Sequence, residues 1–420
     1  MRSIRSANAV LGALLGLGVL VGCNGSSGNF VAPDTLDVDN DGMLRFPWGL
    51  DFDDDGAGDV QFIAGGVDYD DTNAGVQNNV GSGIFGAPTF YAVGDGPTGL
   101  YLADFNSDGV LDVVTSNQNN STATVLFGTG NGSLGAPVTL TVPNDRGGSE
   151  AVVGDFNEDR QLDVIAGSAN VLFLGTGNRT FGGAIDLGSS GYRNFVRDLN
   201  NDGHQDVVGA NYGNGVTAIL GNGDGTFAAP VNSGPGVDSQ SIAIADFDGD
   251  DVLDALVVTY EGTGHPSTVG VLLGNGDGSF QAPTFTTLPN YAWQVAAADL
   301  NADGHVDVVA TDNILNQVYV LLGDGAGNFG VPTTYAVSGA ERLAIADYNG
   351  DTVPDIAVTS QPDGAWVAFG NGDGSFGSFA SSGLGGGGFD VDAGDLNGDG
   401  KLDLVFIDIS GNRVAVQLGL

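Results

Sequence analysis

The 420-residue chain carries 52 acidic and 11 basic side chains, a formal charge of -41, which excludes attraction to nucleic-acid phosphates or an anionic lipid surface. Charge on that scale suits disorder, but 41% hydrophobic residues and 72 glycines in short alternating runs argue for a turn-rich β protein.

Residues 1–22 place Arg2 and Arg5 ahead of an apolar stretch from Ala9 to Gly22, the pattern of an export signal that lies outside the fold. No later apolar stretch is long enough to span a bilayer. Leu20, Val21, Gly22 and Cys23 resemble the lipobox of bacterial lipoproteins, and Cys23 is the sole cysteine. That resemblance implies cleavage before Cys23, lipidation of its sulfur, and a short anchor linker over residues 23–29. Asn24 follows instead of Asp, which the same resemblance reads as sorting to the outer membrane or cell surface. A lipidated Cys23 leaves no thiol for a disulfide, so stability has to come from packing and bound metal.

Residues 30–420 are built from one repeated unit. Its marker is an Asp followed at intervals of two, two and four by further Asp or Asn, starting at Asp51, Asp104, Asp155, Asp198, Asp246, Asp299, Asp347 and Asp395, 43 to 53 residues apart. Short Val/Ile/Leu/Ala runs flank each marker, as in Tyr101–Ser116 and Ile242–Thr259, and predict strand, loop, strand. A third run and a Gly/Asn turn lead to a fourth, so each unit predicts a four-stranded propeller blade. Counting gives an all-β, multibladed β-propeller of eight four-stranded blades. If the irregular residues 37–90 embellish the ring instead of forming a blade, it has seven. The last copy stops before its fourth run, and Gly28–Leu36 has the form of that run, so the N-terminal strand is expected to close the ring.

Three oxygens on alternate residues of a tight loop, a carboxylate at position nine and a mid-loop carbonyl suit calcium, which takes six to eight hard oxygens. Magnesium demands a stricter octahedron. The expected ligand sets are Asp51, Asp53, Asp55 and Asp59; Asp104, Asn106, Asp108 and Asp112; Asp155, Asn157, Asp159 and Asp163; and Asp198, Asn200, Asp202 and Asp206. They continue with Asp246, Asp248, Asp250 and Asp254; Asp299, Asn301, Asp303 and Asp307; Asp347, Asn349, Asp351 and Asp355; and Asp395, Asn397, Asp399 and Asp403. Glycine fills position six where the chain must turn sharply, except at Arg160, Asp251 and Thr352, where weaker sites are expected. A further loop at Asp37, Asp39 and Asp41 carries Arg45 at position nine and reads as a solvated turn. The bland reading, that Asp and Asn merely cap turns, explains one or two copies but not eight in register.

These loops, the glycine turns such as Phe369–Gly374, and the aromatic-to-Pro entries Phe227 to Pro230, Phe280 to Pro283 and Phe329 to Pro332 resemble the FG-GAP and VCBS repeat family of integrin α-subunit heads and exported bacterial proteins. The resemblance implies several structural calcium ions on one face of the ring. The opposite face would hold the loops that enter each innermost strand, where Arg146, Glu150, Tyr192, Arg193, Gln240, Tyr291, Trp293, Glu341, Arg342 and Phe389 form a candidate ligand surface. Aromatics beside isolated charges suit a sugar or peptide; the competing reading has them plugging the channel and pairing with Asp.

No catalytic constellation is legible. Of the three histidines, His204 and His305 sit at position seven of metal loops, and no Gly-x-Ser-x-Gly elbow is present. The expected function is therefore a lipid-anchored, calcium-stabilised module, monomeric, that binds glycan or an envelope or extracellular protein. The alternative is an extracellular calcium-dependent polysaccharide lyase or hydrolase using Tyr192, Arg193 and Arg342.

Overall fold

The computed structural model describes residues 43–44, 69–70, 89–143, 151–167, 170–188, 193–211, 213–234, 236–259, 266–360, 364–381 and 388–419. Seven four-stranded antiparallel sheets form the blades of a propeller. Blade 1 comprises Pro97–Ala103, Asp112–Asn117, Thr122–Gly128 and Leu134–Thr141, and blades 2 to 6 follow with innermost strands Val152–Gly154, Arg193–Arg197, Ser239–Ala245, Gln294–Ala298 and Ala340–Ala346. Blade 7 joins Gly388–Gly394, Asp403–Asp408 and Arg413–Gln417 to an outer strand from the other end of the sequence, Thr89–Ala92.

That last pairing settles both the blade count and the closure. Thr89–Ala92 runs antiparallel to Arg413–Val416, with Phe90 opposite Ala415 and Tyr91 opposite Val414. The ring thus closes with a strand from the N-terminal side of blade 1, but the strand is Thr89–Ala92 and not Gly28–Leu36. That strand, read in the sequence as the fourth run of the first copy, belongs to blade 7, and the described residues form seven four-stranded blades, the second of the two expected counts. The one described pairing of residues 37–90 besides it is Met43–Leu44 with Tyr69–Asp70. Closure inside one sheet ties the strand that precedes blade 1 to the last strands of the chain in a single hydrogen-bond ladder and covers the open edge of Arg413–Gln417.

Burial follows radius. Second strands such as Asp112–Asn117, Asp254–Thr259 and Asp355–Ser360 are buried at every residue, because each blade has a neighbour on both faces. Their near-continuous apolar character follows from that double coverage. Outermost strands such as Thr284–Thr287 and Thr333–Ala336 are mostly exposed and rich in Thr. The core is correspondingly a set of layers between blades. Val258, Val271, Val295, Val308 and Tyr319 fill the layer between blades 4 and 5, and Leu102, Val113, Leu126, Val405 and Val414 the layer between blades 7 and 1.

Each layer depends on aliphatic side chains in fixed places, so Leu256→Ala, at a fully buried position, should destabilise the fold by about 2–5 kcal/mol. Val331→Ala, at a side chain 91% exposed, should change it by less than about 0.5 kcal/mol. Urea unfolding of the two variants beside the parent checks both values.

Candidate metal loops and the polar channel

In all seven blades the acidic loop joins the innermost strand to the second, which places the loops on one face of the ring. The local fold is dictated by the Asp at position one. In blade 1, Asp104 Oδ1 accepts from the amides of Asn106 and Asp108, and Oδ2 accepts from Gly109. Asp108 Oδ1 in turn accepts from Val110. This wrapping needs a left-handed residue at position six, and Gly109, Gly203, Gly304 and Gly400 supply it without a Cβ penalty. Arg160, Asp251 and Thr352 adopt the same conformation, with φ of 68°, 64° and 72°. The expected exceptions therefore keep the loop shape at the cost of backbone strain, greatest for the β-branched Thr352.

Position nine has a role that its spacing alone does not reveal. Asp112 Oδ2 accepts from Phe105 N at 2.9 Å, and Oδ1 from Gly128 N at 2.7 Å. The same latch recurs at Asp163, Asp206, Asp254, Asp307, Asp355 and Asp403, tying each loop to a glycine at the end of the third strand. That glycine is required by close approach: a Cβ on Gly128 would lie 2.3 Å from the Leu111 carbonyl oxygen, and one on Gly323 2.2 Å from that of Val306.

Burial pushes these carboxyls up: Asp112 and Asp355 to about 8, Asp163 and Asp403 to about 7, and Asp206, Asp254 and Asp307 to about 6. The backbone donors lower them only partly, and the neighbouring loop carboxylates add to the rise. Blade 4 is the most acidic loop, with Asp248 where most copies have Asn. One oxygen from each of Asp246, Asp248 and Asp254 lies within 4.8 Å of the others. Asp248 Oδ1 is buried with no hydrogen-bond partner, and its carboxyl is raised by burial and then by Asp250 and Asp246. An all-oxygen donor set with an orphaned buried oxygen fits a hard divalent cation.

The loops are also joined between blades. Phe105, Phe156 and Phe247, at position two, pack against Phe181, Phe227 and Phe329 of the next blade's outer turn, with centroids 5.9, 5.4 and 6.0 Å apart. Turn amides reach across as well, from Gly225 to the Phe156 carbonyl and from Gly327 to that of Phe247. His204 of blade 3 pairs with Glu158 of blade 2 at 2.5 Å, and this bond raises the imidazole pKa.

The candidate ligand surface distributes differently. Cys23, Asp51, Asp53, Asp55, Asp59, Arg146, Glu150 and Tyr192 lie outside the described residues. Arg193, Gln240, Tyr291 and Arg342 are buried, while Trp293, Glu341 and Phe389 are half-buried. Most are engaged between blades: Tyr291 donates to Gln240 Oε1, Gln240 Nε2 donates to the Ala292 carbonyl, Tyr291 packs 6.4 Å from Trp293, and the Arg342 guanidinium stacks 5.0 Å from the Phe389 ring. Burial raises the Glu341 carboxyl, partly offset by Asn313.

The innermost strands line their channel with polar groups that serve each other's backbone. Asp390 Oδ2 accepts from Leu100 N, Asp392 Oδ2 from Leu102 N and Gln294 Oε1 from Leu343 N, each acceptor on one blade and each donor on the next. A small cavity among these strands is lined by Arg193, Asn194, Gln294, Asp390 and Asp392. Burial holds the Asp392 carboxyl well above its usual range. Sequence reasoning missed Asp390 and Asp392, although their alternation in Phe389–Ala393 marks them as sharing one face of a strand.

Five segments, residues 108–166, 198–257, 256–310, 299–358 and 347–406, match the family model of the FG-GAP-like repeat. They span more than half of the chain, which belongs to that family. No curated protein matches it in sequence. Among solved structures it is similar to BBS1N, crystallised in complex with ARL6DN, at 11% identity and a TM-score of 0.56 over 82% of this chain and 98% of that one. It is also similar to the BP39L lectin from Burkholderia pseudomallei, at 16% identity and a TM-score of 0.56 over 77% of this chain and 98% of the lectin. At such identities the likeness is one of fold.

The raised carboxyls set a pH dependence. Their folded pKa values exceed the ordinary value near 3.8, so between the two the native state binds more protons than the unfolded chain and stability falls as pH rises. In chelator the unfolding midpoint should therefore drop from pH 4 towards pH 8, and added calcium should raise it more at pH 8 than at pH 5. Thermal melts at the two pH values, with and without calcium, read both effects; equal gains would contradict this account.

Proposed function

We propose that this protein is an exported, lipid-anchored and calcium-stabilised propeller of the VCBS type that acts as a binding or structural module for glycan or an extracytoplasmic protein. The observation that carries the calcium reading is the blade 4 loop, where Asp248 Oδ1 is buried without a partner beside Asp246 and Asp254. The side chains at positions one, three, five and nine, with the carbonyl of position seven, would hold the ion in each loop. A bound cation would neutralise the carboxylates that the fold brings together. An ion that binds only the folded ring adds stability by mass action, about 2.7 kcal/mol at a concentration 100 times its Kd.

Among the described residues, His204 and His305 stay on the loop face, and the channel cations Arg193 and Arg342 are buried. The half-buried Trp293, Glu341 and Phe389 offer ring and carboxylate edges at the channel mouth, a pattern suited to sugar or peptide. A lectin with the same fold makes glycan the first class to try. The anchor rests on Cys23 at the end of the apolar export segment.

A glycan array probed with residues 24–420 in calcium should give binding that chelator abolishes and Trp293→Ala weakens. A blank array combined with capture of one defined envelope protein would move the ligand class to protein, and failure of both would end the binding reading. Metabolic labelling with a fatty acid should mark the parent chain and not Cys23→Ala.

A further inference from the structure

The blade 1 loop differs from its relatives in one contact. In blades 2, 3, 5, 6 and 7 the Asn at position three donates through Nδ2 to Oδ2 of the Asp at position five, at 2.9 to 3.2 Å. In blade 1 that oxygen, Asp108 Oδ2, accepts instead from Arg179 Nη2 at 3.0 Å, across 71 residues of sequence. The amide nitrogen of Asn106, displaced from its usual acceptor, is buried with no hydrogen-bond partner.

Arg179 is itself exceptional. It belongs to the outer turn of blade 2, two residues before Phe181, where the other described turns place Gly132, Gly225, Gly278, Gly327 and Gly374 at φ of 75° to 79°. Arg179 holds φ at 64°, a conformation that strains a residue with a Cβ. Its guanidinium also stands 5.0 Å from the centre of the Phe127 ring, on the third strand of blade 1, which fixes its reach towards Asp108. A strained arginine thus replaces a glycine at this turn, and among the described turns it alone brings a cation to the neighbouring acidic loop.

We propose that Arg179 is a built-in counter-ion for the blade 1 loop, occupying on Asp108 the oxygen that a bound divalent cation would use and making this loop the weakest calcium site of the described seven. The inference rests on the calcium reading above. With half of the Arg179 side chain exposed, the ion pair adds little stability of its own. Its effect is competition: calcium must displace a guanidinium held by an aromatic ring before it gains a full set of oxygens. Blade 1 would then stay closed in low calcium, clamped to blade 2, while loops lacking such an arginine respond to the ion.

Calcium titration by isothermal calorimetry, with metal content after dialysis, tests this on the full propeller. Arg179→Gly installs the residue of the other turns, and Arg179→Gln keeps bulk without charge. Both should bind about one more equivalent of calcium than the parent, or bind the weakest equivalent at least about tenfold more tightly. Asp108→Asn added to Arg179→Gly should abolish that gain. A parent that binds calcium with variants indistinguishable from it would overturn the role of Arg179 and leave the calcium reading intact. No uptake by any of the proteins would overturn both.

Discussion

The carboxylate at position nine of each loop is the interaction on which the rest of the propeller depends. Its two oxygens bond two amides that no strand ladder reaches, one at the start of the acidic loop and one at the glycine ending the third strand. The latch therefore fixes three strands of a blade relative to one another at the end where the loops gather. Removing it would strand two amides in a site where the carboxylate is wholly buried, at about 1–3 kcal/mol each. Seven repetitions make this polar bracket as much a part of the fold as the apolar layers between the blades.

The same bracket creates an electrostatic problem. A buried Asp beside two or three other loop carboxylates is driven towards protonation, and a raised pKa means that the charged form is disfavoured at neutral pH. Three remedies are visible in this chain. Backbone amides converge on positions one, five and nine; the spacing suits a divalent ion; and in blade 1 the guanidinium of Arg179 comes from the adjacent blade. The channel poses the reverse problem, since innermost strands present unpaired amides to one another. Asp390, Asp392 and Gln294 satisfy them from the neighbouring blade, which turns polar side chains into structural links around the ring.

Much of this was legible in the sequence. The Asp register at 43 to 53 residues, the four runs per unit and the positive-φ positions of the loops all follow from local chemistry, because a period-two strand and a left-handed turn need only their own residues. The departures at Arg160, Asp251 and Thr352 were visible too, and the chain holds them in the glycine conformation. The candidate ligand residues were harder to read. Gln240, Tyr291 and Arg342 look like surface recognition groups in sequence, yet pairing across blade boundaries buries them, and which blades are neighbours at a given height is not a local property.

The sequence by itself determined a repeated four-stranded unit, an acidic loop between its first two strands, and the need for one outer strand to come from the far end of the chain. Only the tertiary structure decided that Thr89–Ala92 is that strand and that the ring has seven blades. The physical reason is that every copy but the last carries an equivalent fourth run, and Gly28–Leu36 has the same form. Any such run can pair with a third strand, so the choice falls to ring geometry, which accepts the pairing that leaves no sheet edge open between the last blade and the first.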